Sequence, residues 1–124
     1  GIPLLDFMNY YKISIKNLTV IHDDIDLNIG KIKYKIGGSN AGHNGLLNID
    51  QIVGKSYGRL RIGVSHPASK NLVSKYVLEK FNSQEKIIIN QIIKLSVENL
   101  DLLFENKNLF LTKISLLLQK NTFK

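Results

Sequence analysis

The chain has 124 residues, 44% of them hydrophobic and 22% charged, which suits one globular domain and excludes a disordered segment. It has no cysteine, so a disulfide framework and a cysteine-based zinc site are ruled out, and an intracellular setting is compatible. Seventeen Lys and Arg against ten Asp and Glu leave a net charge of +7, which fits a polyanionic partner such as nucleic acid, with lysine used as generic surface as the plainer account.

No apolar run approaches the roughly 18 to 20 residues of a membrane span, and the start lacks a basic-then-apolar leader, so a soluble chain is expected. Gly1 stands where an initiator methionine would, and the chain opens directly into a helical pattern, which reads as a fragment. Residues 2–12 form that helix, with Pro3 in the first turn, where its missing N–H costs nothing, and Leu4, Met8 and Tyr11 at helical spacing. Residues 18–21 are a short apolar run of the buried-strand type. His22-Asp23-Asp24-Ile25-Asp26 follows, clustering three carboxylates just past a strand's carboxyl end, where open α/β sheets place their ligands.

Residues 30–36 alternate, with Ile32, Tyr34 and Ile36 on one face and Lys31, Lys33 and Lys35 on the other. A solvated edge strand guarded by lysines accounts for this without any ligand. Next comes Gly37-Gly38-Ser39-Asn40-Ala41-Gly42-His43-Asn44-Gly45-Leu46, which concentrates glycine and small polar side chains around one histidine and one asparagine. It reads either as a long surface turn or as a site, with His43 and Asn44 supplying donors and acceptors where the loop becomes a helix. That helix runs over Asn44–Val53 and Gly54 ends it.

Residues 57–64 alternate again, Leu60, Ile62 and Val64 opposite Arg59, Arg61 and Gly63, and read as a second basic-faced strand. Ser65-His66-Pro67 breaks it. Residues 71–81 then look helical. Ser83 is the expected N-cap of a long helix whose buried stripe runs Ile89, Ile93, Val97, Leu100 and Phe104. Asn106 and Asn108 mark its end, and residues 109–119 form a final helix. The strands come early and the helices late.

Three histidines, His22, His43 and His66, sit beside breaks in structure, but no H-x-x-H or H-E-x-x-H spacing accompanies them, so no metal is expected. The G-x-S-x-G elbow of serine hydrolases is absent, as are G-x-x-x-x-G-K-[ST] and G-x-G-x-x-G. An acidic side chain orienting a histidine that acts as general base on water is chemically supported, and Asp23 is the best acid for it.

Taken in order, His22-Asp23-Asp24-Ile25-Asp26-Leu27, Lys33-Tyr34-Lys35, the segment 37–46, and Arg59-Leu60-Arg61-Ile62-Gly63-Val64-Ser65-His66-Pro67 resemble the bacterial peptidyl-tRNA hydrolase family. The resemblance covers essentially the whole chain. It implies a single α/β domain with a mixed central sheet flanked by helices, acting as a cytoplasmic monomer without cofactor. It implies hydrolysis of the ester joining a peptide to the 3′-terminal ribose of tRNA.

By the same resemblance Asp23 holds the water-activating histidine in its basic form, and Asn44 binds substrate near the scissile ester with His43 lining the same cleft. Lys35, Arg61 and Lys70 would contact acceptor-stem phosphates. Family members also carry an N-terminal V-G-L-G-N-P-G strand, a T-R-H-N segment with the catalytic histidine, and F-M-N-x-S; none is present, so residues 1–124 read as the C-terminal two thirds of the domain. Phe7-Met8-Asn9 spells F-M-N but falls inside the following helix, where Met8 is expected in the core and Asn9 on the surface. His22 is given a structural role at the strand end. The missing histidine motivates an alternative, a non-catalytic RNA-binding relative of the intron-splicing type.

Overall fold

A computed structural model describes residues 1–65 and 81–122 of the chain. The helix expected over 71–81 lies outside these residues except for its last position, and so do His66, Pro67 and Lys70. In chain order the elements are α1 (Ile2–Tyr10), a 3-10 turn (Ile15–Asn17), β1 (Thr19–Asp24), β2 (Ile32–Ile36), α2 (Asn44–Val53), β3 (Gly58–Gly63), α3 (Ser83–Glu98), α4 (Leu100–Glu105) and α5 (Lys107–Thr122). None of these helices is long and apolar enough to cross a membrane.

The three strands form one sheet in the order β1-β3-β2. Gly58 N–H donates to the Leu18 carbonyl and Val64 N–H to that of Asp24, so β1 and β3 advance in the same direction. Gly37 N–H donates to Tyr57 and Gly63 N–H to Lys31, so β2 runs against β3. The sheet is therefore mixed, as the resemblance implied. Its centre is β3, which is buried along nearly its whole length. This corrects the reading of residues 57–64 as a basic-faced strand: the face that carries the arginines is covered as well, and Arg59 is 2% exposed.

The chain divides into two compact units, Gly1–Ile21 with Lys35–Leu60 and His22–Tyr34 with Arg61–Lys124. In the first, α1 packs on α2, and Met8, Leu46, Tyr57 and Leu60 are buried. Met8 thus sits in the core while Asn9 is exposed, as expected of residues inside a helix and not at a binding motif. Helix α1 ends with Lys12 at φ 56°, Ile13 N–H donating to Met8 O and Lys12 N–H to Asn9 O, the paired bonds of a Schellman ending on a non-glycine residue.

In the second unit α5 packs against both α3 and α4 around Ile92, Leu95, Leu103, Phe110, Ile114 and Leu118. Lys107 Nζ lies 4.6 Å from the centre of the Tyr34 ring, tying the start of α5 to β2. Two expectations are corrected here. The N-cap of α3 is Asn82, not Ser83, because its side chain accepts from Glu85 N–H at 2.8 Å while Glu85 Oε1 accepts from Asn82 N–H at 3.0 Å, a closed capping box. The buried stripe runs through Ile92, Leu95 and Ser96 and on to Leu103, leaving Ile93, Val97, Leu100 and Phe104 exposed. The long helix is also interrupted at Asn99, whose side-chain amide donates to Leu95 O at 2.8 Å.

Candidate active site

The glycine-rich segment links β2 to α2 through a run of left-handed backbone: Gly37, Gly38, Ala41 and Gly42 have φ of 71°, 103°, 49° and 79°. Short polar side chains close the turns between them. Ser39 Oγ accepts from Ala41 N–H and Asn40 Oδ1 from Gly42 N–H, each at 3.0 Å. The stem of Lys35 lies over the start of the loop, so that a Cβ on Gly38 would sit 3.0 Å from Lys35 Cε and Nζ.

His43 is the N-cap of α2. Its Nδ1 accepts from Leu46 N–H at 3.2 Å, so in this geometry Nδ1 carries no proton and the ring hydrogen resides on Nε2. The ring folds back over Gly45, where a Cβ would approach His43 Cε1 to 3.0 Å; the glycine of H-N-G makes room for the cap. Asn44 follows as the first residue of α2 and is exposed. It stands at a helix N-terminus, where backbone N–H groups favour carbonyl oxygens and developing negative charge.

Beneath the loop lies a buried polar network that sequence reading missed. Arg59 Nη2 is 3.2 Å from Asp50 Oδ1, and Nη1 donates to the Ser39 carbonyl at 3.1 Å. Tyr57 Oη donates to Asp50 Oδ1 at 2.6 Å, and Asn40 Nδ2 to Asp50 Oδ2 at 3.4 Å. The guanidinium stacks 4.6 Å above the Tyr57 ring. Burial and the hydrogen bond to Asp50 push the Tyr57 hydroxyl up to about 12, keeping it a donor at any physiological pH. The available signal was Asp50 itself, which falls four residues after Leu46 on the apolar stripe of α2, where a carboxylate needs a buried partner.

In the second unit Asp23 and Asp24 are the last two residues of β1, so the acidic cluster begins within the strand and not beyond it. Asp24 is committed: Oδ2 accepts from Arg61 Nε at 2.7 Å and Oδ1 from Asp26 N–H at 2.9 Å. Arg61 is thus ion-paired, with a quarter of its side chain exposed. His22 Nδ1 donates to the Asp23 carbonyl oxygen at 2.8 Å, in keeping with a structural place at the strand end. Asp23 is half-buried.

His43, Asn44 and Lys35 belong to the first unit, and Asp23 and Arg61 to the second. Gly63 explains the R-L-R-I-G pattern locally: any Cβ there would collide with the Asn28 carbonyl. The Ser65 hydroxyl, from a residue at φ 66°, accepts from Ile29 N–H at 3.0 Å on the same turn.

The fold is shared with solved hydrolases of one class. The crystal structure of peptidyl-tRNA hydrolase from Acinetobacter baumannii superposes with a TM-score of 0.79 at 34% identity, over 90% of this chain and 58% of that one. The family model described as peptidyl-tRNA hydrolase matches residues 1–122. The chain belongs to the peptidyl-tRNA hydrolase family.

Among relatives, the peptidyl-tRNA hydrolase of Rickettsia bellii (strain RML369-C) is 47% identical over 107 residues, covering 86% of this chain and 58% of its own length. That of Wolbachia sp. subsp. Drosophila simulans (strain wRi) is 43% identical over 108 residues, covering 87% and 58%. The chain thus spans somewhat under two thirds of the length of the relatives it matches.

Proposed function

We propose that this protein hydrolyses the ester between a peptide and the 3′-terminal ribose of peptidyl-tRNA, as a cytoplasmic monomer whose single domain includes these 124 residues. The observation that carries the reading is the exposed Asn44, set by the His43 cap at the N-terminus of α2, in a chain that retains H-D-x-x-D and G-G-x-x-G-H-N-G. Water oxygen bonds to the ester carbonyl carbon, the bond to the ribose 3′-oxygen breaks, and the proton taken from water returns to that oxygen. Asn44 holds the peptidyl end beside the ester. Asp23 orients the water-activating histidine, fixes the tautomer whose free nitrogen takes the water proton and stabilises the imidazolium that forms; by the family resemblance that histidine belongs to the T-R-H-N segment of relatives.

Lys35, Arg61 and Lys70 contact acceptor-stem phosphates, so binding weakens steeply with salt. The non-catalytic RNA-binding alternative is not favoured, because the relatives that match carry the hydrolase name. The test is release of peptide from a model peptidyl-tRNA by the chain joined to the N-terminal segment of the Rickettsia bellii relative. Turnover that falls by orders of magnitude in Asn44→Ala and Asp23→Asn supports the reading; a folded, inert fusion refutes it.

A further inference from the structure

The geometry points to Arg59 and Asp50 as positioning residues, a buried clamp that locks the glycine-rich loop onto α2 so that Asn44 is presented to substrate in one orientation. This inference rests on the reading of Asn44 as a substrate-binding residue. The loop supplies little rigidity of its own, since four of its residues are in left-handed backbone and residues 37–42 carry only small side chains. Such a segment is entropically expensive to order unless something grips its backbone.

The clamp grips the backbone at Ser39 and the side chain at Asn40. Arg59 Nη1 takes the Ser39 carbonyl at 3.1 Å and Asp50 Oδ2 takes the Asn40 amide at 3.4 Å. Asn40 in turn closes the last turn before the helix, its Oδ1 accepting from Gly42 N–H and its carbonyl from His43 N–H at 2.8 Å. Because Asp50 belongs to α2 and Arg59 to β3, the network ties the loop to the helix that carries Asn44 and to the central strand at once. The guanidinium geometry matters as much as its charge: two separate Nη atoms in a rigid planar fork serve two partners, whereas a lysine ammonium offers its donors from a single point.

The experiment uses the full-length protein in two parts, with Arg59→Lys as the main variant and Tyr57→Phe as a milder one that keeps the ion pair. Hydrogen exchange reports on the loop: amides of residues 41–47 are expected to exchange about tenfold faster in Arg59→Lys while those of α3 and α5 keep their protection. Binding of an acceptor-stem minihelix carrying a 3′-linked N-acyl-aminoacyl group is expected to weaken about tenfold, yet less than twofold when Asn44 is already alanine, because the clamp acts through that residue.

Unchanged loop exchange in both folded variants overturns the clamp. Faster exchange with unaltered affinity, or with effects that add fully to Asn44→Ala, overturns its link to substrate. Wild-type protein that ignores the minihelix overturns the proposed function instead, and the exchange data then decide the clamp alone.

Discussion

Arg59 and Asp50 face each other at 3.2 Å with both side chains 2% exposed, an ion pair closed off from water inside the first unit. Removing one partner strands the other charge in a medium that solvates it poorly. Asp50→Ala is expected to lower stability by about 3–5 kcal/mol, since it leaves a buried guanidinium unpaired and also removes the acceptor of the Tyr57 hydroxyl. Asp50→Asn keeps an acceptor for both and is expected to lose clearly less. Urea unfolding midpoints of the three proteins check this, and an alanine variant as stable as wild type contradicts it.

Tyr57 gives the same network a signature in alkali. Its hydroxyl ionises near 12 in the folded chain against an ordinary value of 10, chiefly through burial and then through the bond to Asp50. The neutral form is the one the fold favours. Its contribution is therefore whole below pH 10, where both states are protonated, and declines between pH 10 and 12 as the unfolded chain alone releases the proton. The two-unit shift corresponds to about 2–3 kcal/mol lost across that window. Tyr57→Phe is expected to show a flatter stability curve from pH 10 to 12, and absorbance at 295 nm to show one tyrosine titrating late. Parallel alkaline limbs in the two proteins would contradict the assignment.

These two residues also show why some features were legible in the sequence and others were not. The strands, the Asn44–Val53 helix and its Gly54 ending follow from local rules, alternation of side chains and the left-handed backbone at Gly54, φ 89°. Arg59 was misread because alternation says only which residues share a face, and here both faces of β3 are covered. The stripe of α3 was misplaced for a related reason. Residues 87–89, 92 and 93 are all isoleucine, so several stripes fit the pattern, and packing against α5 selects the one through Ile92 and Leu95. The H-N-G and H-D-x-x-D residues were visible as motifs, whereas the clamp beneath the glycine-rich loop depends on pairings across nine and twenty residues.

Gly63 offers a steric test. A methyl there would run into the Asn28 carbonyl and come within 2.8 Å of the Leu27 carbonyl, and both obstacles are backbone held by ladder and turn bonds. Gly63→Ala is expected to destabilise by at least about 1–3 kcal/mol, the range of overpacking, despite being the smallest change available. Gly30 has φ 95° and, among the described residues, nothing within 4 Å of an added Cβ, so Gly30→Ala is expected to meet backbone strain of order 1–2 kcal/mol. Thermal unfolding of the two variants ranks them, and equal or reversed losses would show that the turn carrying Asn28 gives way.

Arg61 and Asp24, 2.7 Å apart and partly exposed, allow the phosphate-binding role proposed for Arg61 to be tested against a purely structural one. The carboxylate engages Nε, so it orients the guanidinium and at the same time offsets its charge. Arg61→Ala is expected to weaken binding of an acceptor-stem minihelix at every sequence alike and to reduce the slope of log K against log salt by about 0.7–0.9, the loss of one phosphate contact. Asp24→Asn should do the reverse at low salt, because the arginine keeps its place while losing its counter-charge, and the gain should fade as salt screens it. The opposite signs of the two variants separate a phosphate-binding arginine from a merely structural one. If Arg61 served only to brace the turn, both substitutions would loosen it and both would weaken binding.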